Sequence, residues 1–83
     1  MQYELDSYDQ YDWSIIGVDR EENGYYICTD SGCSCYLPWE YYTKDSRTGP
    51  LTREQMEEEV HSLASNLYRE KSHTVDEFIK EID

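Results

Sequence analysis

Apolar positions along the chain change period three times, and each period predicts a different element. Residues 13–18 (W-S-I-I-G-V) are β-branched and aromatic, the composition of a strand. Residues 19–24 (D-R-E-E-N-G) are polar and end in Asn-Gly, a pair that tolerates the positive φ of a tight turn. Residues 24–29 (G-Y-Y-I-C-T) read as a second strand, so the two should form an antiparallel hairpin. Trp13 and Ile15 would share one face, and Ile16 and Val18 the other. Both faces then carry apolar side chains, and at least one needs a covering helix. Residues 30–35 (D-S-G-C-S-C) carry a turn signal. Residues 36–43 (Y-L-P-W-E-Y-Y-T) fit either an edge strand tolerating Pro38 or a short helical turn with Pro38 at its start. Residues 44–50 read as a loop.

The period then becomes helical. Thr52 followed by Gln55 is a capping box, with Leu51 and Met56 at the staple positions around it. Met56, Val60, Leu63 and Leu67 recur at +4, +3, +4, the stripe of a helix over residues 53–71, widened by Ala64 and Tyr68. Leu63 and Leu67 fall at the centre of that stripe and should be buried against the hairpin. Acids crowd the first turns, and Arg69 and Lys71 sit in the last, as the helix dipole favours. Thr74 and Glu77 repeat the box ahead of Val75, Phe78, Ile79 and Ile82, the stripe of a second, short helix that must dock to persist. Residues 1–12 show neither period cleanly. They read as an acidic, tyrosine-studded arm in front of a single small domain over residues 13–83.

Charge changes this picture most. The 83 residues hold 19 Asp and Glu against 7 Lys and Arg, a net charge of −12. Mean hydropathy is −0.94, which together with that charge leans toward disorder, but 14% aromatic residues argue for a folded domain. A surface this negative repels phosphates, so neither nucleic acid nor an anionic membrane is an expected direct partner. No apolar run approaches the roughly 20 residues of a membrane-spanning helix. No basic segment followed by an apolar one opens the chain, so a cytoplasmic setting with reduced thiols is expected.

Three constellations invite chemistry. Cys28, Cys33 and Cys35 form C-x4-C-x-C, and with His61 or His73 they could make a tetrahedral zinc set. The spacing lacks the usual C-x2-C knuckle, so the expectation is no metal, with a zinc-stabilised domain as the alternative. Asp19, Glu21, Asn23, Gly24 and Asp30 resemble a calcium loop, but Glu21 is too long and Asp30 too short for their positions. The flanks are strands rather than helices, and a hairpin turn explains Asn23-Gly24 without an ion. Cys33 or Cys35 could pair with His61 or His73 as nucleophile and base, yet no local signature surrounds them. The expectation is a non-enzymatic protein without a cofactor.

The acidic positions carry a stronger suggestion. Asp6, Asp9 and Asp12 on the arm, and Glu54, Glu57 and Glu58 on the first helix, could steer a basic partner, with Tyr8 and Tyr11 as anchors. Carboxylates held on a rigid surface can occupy sites built for nucleic-acid phosphates.

The segment D-S-G-C-S-C at 30–35, set between Trp13…Gly17 on one side and Pro38-Trp39-Glu40 and Leu51-Thr52 on the other, resembles a family of short acidic uncharacterised proteins from phages of actinobacteria. The likeness spans about residues 13 to 64 and implies expression in the cytoplasm of an infected bacterium. The reading is therefore an α+β domain, a hairpin or three-stranded antiparallel sheet packed by two C-terminal helices. Its expected role is binding, and so inhibiting, a host protein with a basic surface, through mimicry of nucleic-acid charge. A homodimer is the alternative assembly.

Overall fold

The computed structural model describes residues 1–9, 12–33, 39, 42–65 and 72–82, with backbone only at 8, 9, 33, 72 and 73. Four antiparallel strands form one sheet in chain order: β1 (Tyr3–Asp9), β2 (Asp12–Glu21), β3 (Gly24–Cys33) and β4 (Thr48–Leu51). Two helices follow, α1 (Arg53–Leu63) and α2 (Ser72–Glu81). The α+β architecture is the one expected, but the sheet is wider than a hairpin or three strands.

The acidic segment at the N-terminus is strand β1, not an arm. It pairs with β2 in unbroken register from Tyr3 opposite Val18 to Asp9 opposite Asp12. Tyr3 and Leu5 pack against the core while Gln2, Glu4 and Asp6 are exposed. Period two is therefore present over residues 2–6. In the sequence it is obscured by Ser7 and Tyr8, which exchange the polarity of the two faces.

The hairpin of β2 and β3 forms as expected, with Glu21 opposite Gly24 and Glu22-Asn23 between them. Gly24 has φ 141°, and a Cβ there would lie 2.7 Å from the Leu51 carbonyl oxygen, so the position requires glycine. Strand β3 continues through residues 30–33, where a turn was expected, because Asp12, Trp13, Ser14 and Ile15 offer it partners along the extended β2. The predicted loop at 44–50 holds a 3-10 turn (Lys44–Ser46) and the start of β4. Gly49 permits that strand's close approach: a Cβ there would lie 2.6 Å from the Tyr25 carbonyl oxygen. The question of strand or helical turn at 36–43 falls largely outside the described residues. Trp39 lies in a turn with φ 65°.

Both helices lie on one face of the sheet. Ile16, Val18 and Ile27 from the strands meet Met56, Val60 and Ala64 from the first helical segment and Val75, Phe78, Ile79 and Ile82 from the second. The capping box of α1 is complete: the Gln55 N–H donates to Thr52 Oγ1 at 3.1 Å, and the Thr52 N–H donates to Gln55 Oε1 at 3.0 Å. Leu51 packs on the same cluster as Met56, as a staple should. Two helical details differ. The fully buried positions are Met56, Val60 and Ala64, spaced by four, which leaves Leu63 half-buried at the flank; Leu67 falls outside the described residues. Helix α2 begins at Ser72, so Thr74 lies inside its first turn and does not cap it.

Trp13 and Ile15 are buried on the opposite face, which carries no helix among the described residues. Part of its cover comes from Met1 and Trp39, which lie over Gly17. A Cβ at Gly17 would sit 2.3 Å from Met1 Sδ and 2.9 Å from the Trp39 ring.

Candidate functional site

Two regions concentrate polar chemistry, one on each face of the sheet. On the face without helices, β2 and β3 alternate so that Asp19, Gly17 and Ile15 stand beside Tyr26, Cys28 and Asp30. Arg47 reaches into this face from the segment between the 3-10 turn and β4. Its Nη1 donates to Asp19 Oδ2 at 2.9 Å and to Glu21 Oε1 at 3.2 Å, and Nε donates to the Lys44 carbonyl at 3.3 Å. The guanidinium stacks over the Tyr26 ring at 4.3 Å. Only 7% of the Arg47 side chain and 13% of Asp19 are exposed, so this is a nearly dry ion pair. Burial pushes the guanidinium pKa down, but the hydrogen bonds to Glu21 and Asp19 together with the nearby negative charge more than offset it, and the net direction is up. Asp19 also accepts the Gln2 N–H at 2.8 Å, which fastens the start of β1.

Trp39 is held on the same face. Its backbone N–H donates to Asp30 Oδ2 at 2.8 Å, its indole Nε1–H donates to Glu4, and its ring meets Tyr42 edge-on at 5.7 Å. The Glu4 carboxylate also takes the N-terminal ammonium at 3.3 Å. Cys28, Asp30, Trp39 and Tyr42 border a small cavity of 150 Å³ with Thr29 and Ser46. Burial pushes the Cys28 thiol above its ordinary pKa, so it is protonated at neutral pH and is a poor nucleophile or metal ligand. These groups fasten the strands and their cover to one another.

The calcium-loop reading fails here. Asp19 and Glu21 are spent on Arg47, and Asp30 on Trp39, within a hairpin that has no room for a coordination loop. The zinc reading gains nothing from the described residues, among which no three His, Cys, Asp or Glu side chains gather in a metal-binding group. His61 pairs with Asp76 at 3.2 Å between the helices, whereas Cys28 is on the far face of the sheet. The Cys33 and His73 side chains, and Cys35, lie outside the described residues.

The second region is an open groove of 620 Å³ between α1 and α2. Glu54, Glu57, Glu58 and His61 line one wall, and Asp76, Ile79 and Lys80 the other. The three glutamates share a helix face because they are spaced by three and four. Arg53 neutralises that face only in part. Its Nη1 and Nη2 donate to the carbonyls of Ile82 and Ile79 at 2.8 and 2.9 Å, capping the end of α2. Only Nε turns to Glu57, at 3.3 Å. Four carboxylates thus line a groove with Ile79 at its base, Glu57 paired with Arg53 and Asp76 with His61, and Glu54 and Glu58 without an ion pair among the described residues.

The structure therefore brings Glu54, Glu57 and Glu58 together, with Asp76 as a fourth acid that the sequence reading did not single out. It does not join them to Asp6, which is opposite Ile15 and so on the face away from the helices. Asp12 is exposed at the far end of β2. The side chains of Tyr8 and Asp9, and Tyr11 altogether, lie outside the described residues. The residues missed were Arg47 and Gly17, together with the role of Arg53 at the end of α2. Arg47 carried one usable signal, as a cation set among the turn residues Asp45, Ser46, Thr48, Gly49 and Pro50.

No described helix is long and apolar enough to cross a membrane. Comparison with curated proteins and with solved structures gives no match. A family model does match, over residues 2–83, so strands, helices and both polar regions all fall within it, and the chain belongs to the family described as a domain of unknown function, DUF7574.

Proposed function

We propose that this chain is a non-enzymatic binding module that engages a basic surface on a partner protein through the groove between α1 and α2. The observation that supports this reading is the grouping of Glu54, Glu57, Glu58 and Asp76 around that groove, where the neighbouring arginine turns two of its nitrogens into the fold and only the third to Glu57. Lysine or arginine side chains of a partner would meet the carboxylates, and their apolar stems would cover Ile79. Such a surface competes with nucleic acid for a basic protein. The likeness of D-S-G-C-S-C to short phage proteins points to a bacterial host protein as the partner, in the host cytoplasm, and to inhibition as the outcome.

The test compares the wild-type chain with a variant carrying Glu54→Gln, Glu57→Gln, Glu58→Gln and Asp76→Asn, checked for folding by circular dichroism. Host proteins captured by the wild type, and displaced by DNA, should be lost in the variant. Association with such a protein should slow when salt is raised from 50 to 200 mM, and the variant should show a flatter dependence. Equal capture and equal salt dependence for the two chains would refute the proposal.

A further inference from the structure

The small cavity beside Trp39 has walls of a distinctive kind. Cys28, Thr29, Asp30, Trp39, Tyr42 and Ser46 border its 150 Å³. The Tyr42 N–H donates to the Trp39 carbonyl at 3.1 Å, which draws the two aromatic residues together. Their ring centroids lie 5.7 Å apart with the planes at 68°, so the rings form a corner and not a flat stack. Trp39 is held there against its own backbone preference. Its φ of 65° lies in the left-handed region, which a bulky side chain rarely adopts. The Asp30 carboxylate fixes it by accepting the Trp39 N–H at 2.8 Å. Backbone strain of this kind clusters at ligand clamps and other functional sites.

Charge narrows what can enter. The faces of aromatic rings attract cations. Asp30 adds a full negative charge and makes no ion pair among the described residues; Arg47, on the same face, pairs with Asp19 and Glu21 instead. Yet each Asp30 oxygen already accepts a backbone N–H, Oδ1 from Ser31 at 2.9 Å and Oδ2 from Trp39. The carboxylate therefore offers charge more than free acceptor geometry. A lysine ammonium has its own N–H donors to satisfy, and a hard metal ion needs several oxygen ligands. A quaternary ammonium has no N–H, so charge and ring contact are enough to hold it. It also fits. At about 30 Å³ per water-sized group the cavity has room for about five, and a nitrogen with its methyl groups makes about four. Thr29 and Ser46 are exposed and mark the mouth, where a tether would leave.

We infer that the cavity bordered by Trp39, Tyr42 and Asp30 is a binding site for a quaternary ammonium group, carried by a choline-type solute or by a trimethylated lysine. The corner of the two rings takes the methyl groups. Asp30 supplies the opposing charge. These residues and this chemistry differ from those of the α1–α2 groove, so the inference goes beyond the proposed function and can fail independently of it.

The first probe is tetramethylammonium chloride, exchanged for sodium chloride at constant ionic strength and titrated into the isotopically labelled full chain. NMR shifts should saturate at the Trp39 indole and at the amides of Cys28, Thr29 and Asp30. Dimethylbutanol, the isostere of choline with carbon in place of nitrogen, should bind about tenfold more weakly than choline, the change expected when a desolvated cation–π contact is lost. Asp30→Asn keeps an oxygen for the Trp39 N–H and should weaken choline to a similar degree. Trp39→Leu should abolish binding, and Tyr42→Leu serves if that variant does not fold. Tighter binding of a trimethyllysine peptide than of choline marks a partner protein as the source of the group, and the reverse marks a free solute. Equal affinity for choline and dimethylbutanol would overturn the inference, as would shifts that never saturate or no shifts at all. Shifts confined to the groove between α1 and α2 would overturn it while leaving the proposed function standing.

Discussion

Arg47→Met removes the cation that allows Asp19 to be buried, and the loss should approach the stability of the whole fold. Methionine preserves most of the stem that packs on Tyr26, so the change isolates the charge. Breaking a buried pair by deleting one partner costs about 3–5 kcal/mol, because the remaining charge has no water to return to. The contact with Glu21 adds little, since that carboxylate is 38% exposed and screened. At about 0.05–0.15 kcal/mol per residue, a chain of this length has about 4–12 kcal/mol in total. The melting temperature should therefore fall by at least about 12 °C, taking about 4 °C per kcal/mol as the lower conversion for a small domain. Urea unfolding should show a lower midpoint with an unchanged slope, as expected when stability rather than compactness changes. The informative control is the double variant Arg47→Met, Asp19→Asn. The amide oxygen can still accept the Gln2 N–H, no buried charge remains, and part of the stability should return. If the single variant melts within a few degrees of wild type, or the double variant is less stable than the single, Asp19 is not held by Arg47 and the account of this face is wrong.

Three further outcomes follow from the packing. Arg53→Lys should lower stability by about 1–2 kcal/mol in urea unfolding, because a single ammonium cannot reach the Ile79 and Ile82 carbonyls as the two guanidinium nitrogens do; a neutral result would remove Arg53 as the cap of α2. Met56→Ala should cost about 2–5 kcal/mol and Leu63→Ala clearly less, since only the first is fully buried; equal costs would restore Leu63 to the centre of the stripe. In a chain carrying Cys33→Ser and Cys35→Ser, alkylation of Cys28 should be slow at pH 8 and rise with a midpoint above that of a free thiol. The fold favours the protonated thiol, so stability should fall as pH climbs past the unfolded-state pKa; a midpoint at or below that of a free thiol would contradict the burial.

The elements legible in the chain were those whose signals are local. The β2–β3 hairpin follows from β-branched runs around Asn23-Gly24, because turn chemistry involves only adjacent residues. The start of α1 follows from Thr52, Gln55 and the Leu51–Met56 staple, all within one turn of each other. The α+β class and the acidic face of α1 come from periodicity and charge, which need no knowledge of partners. Other features were settled only by the assembled sheet. Strand β1 has a broken alternation and many acids, and it is a strand because β2 offers it seven residues of register and the core accepts Tyr3 and Leu5. Strand β4 contains Gly49 and Pro50, poor strand formers, and is held by β3 and the staple beneath it. Ala64 rather than Leu63 faces the core because helix rotation is set by the sheet it packs on, not by the sizes of its side chains. Arg47 and Asp19 are separated by 28 residues, and the two bonds of Arg53 to the end of α2 span 26 and 29. No local pattern encodes such contacts, since the penalty for burying a charge without its partner arises only once the chain has folded around it.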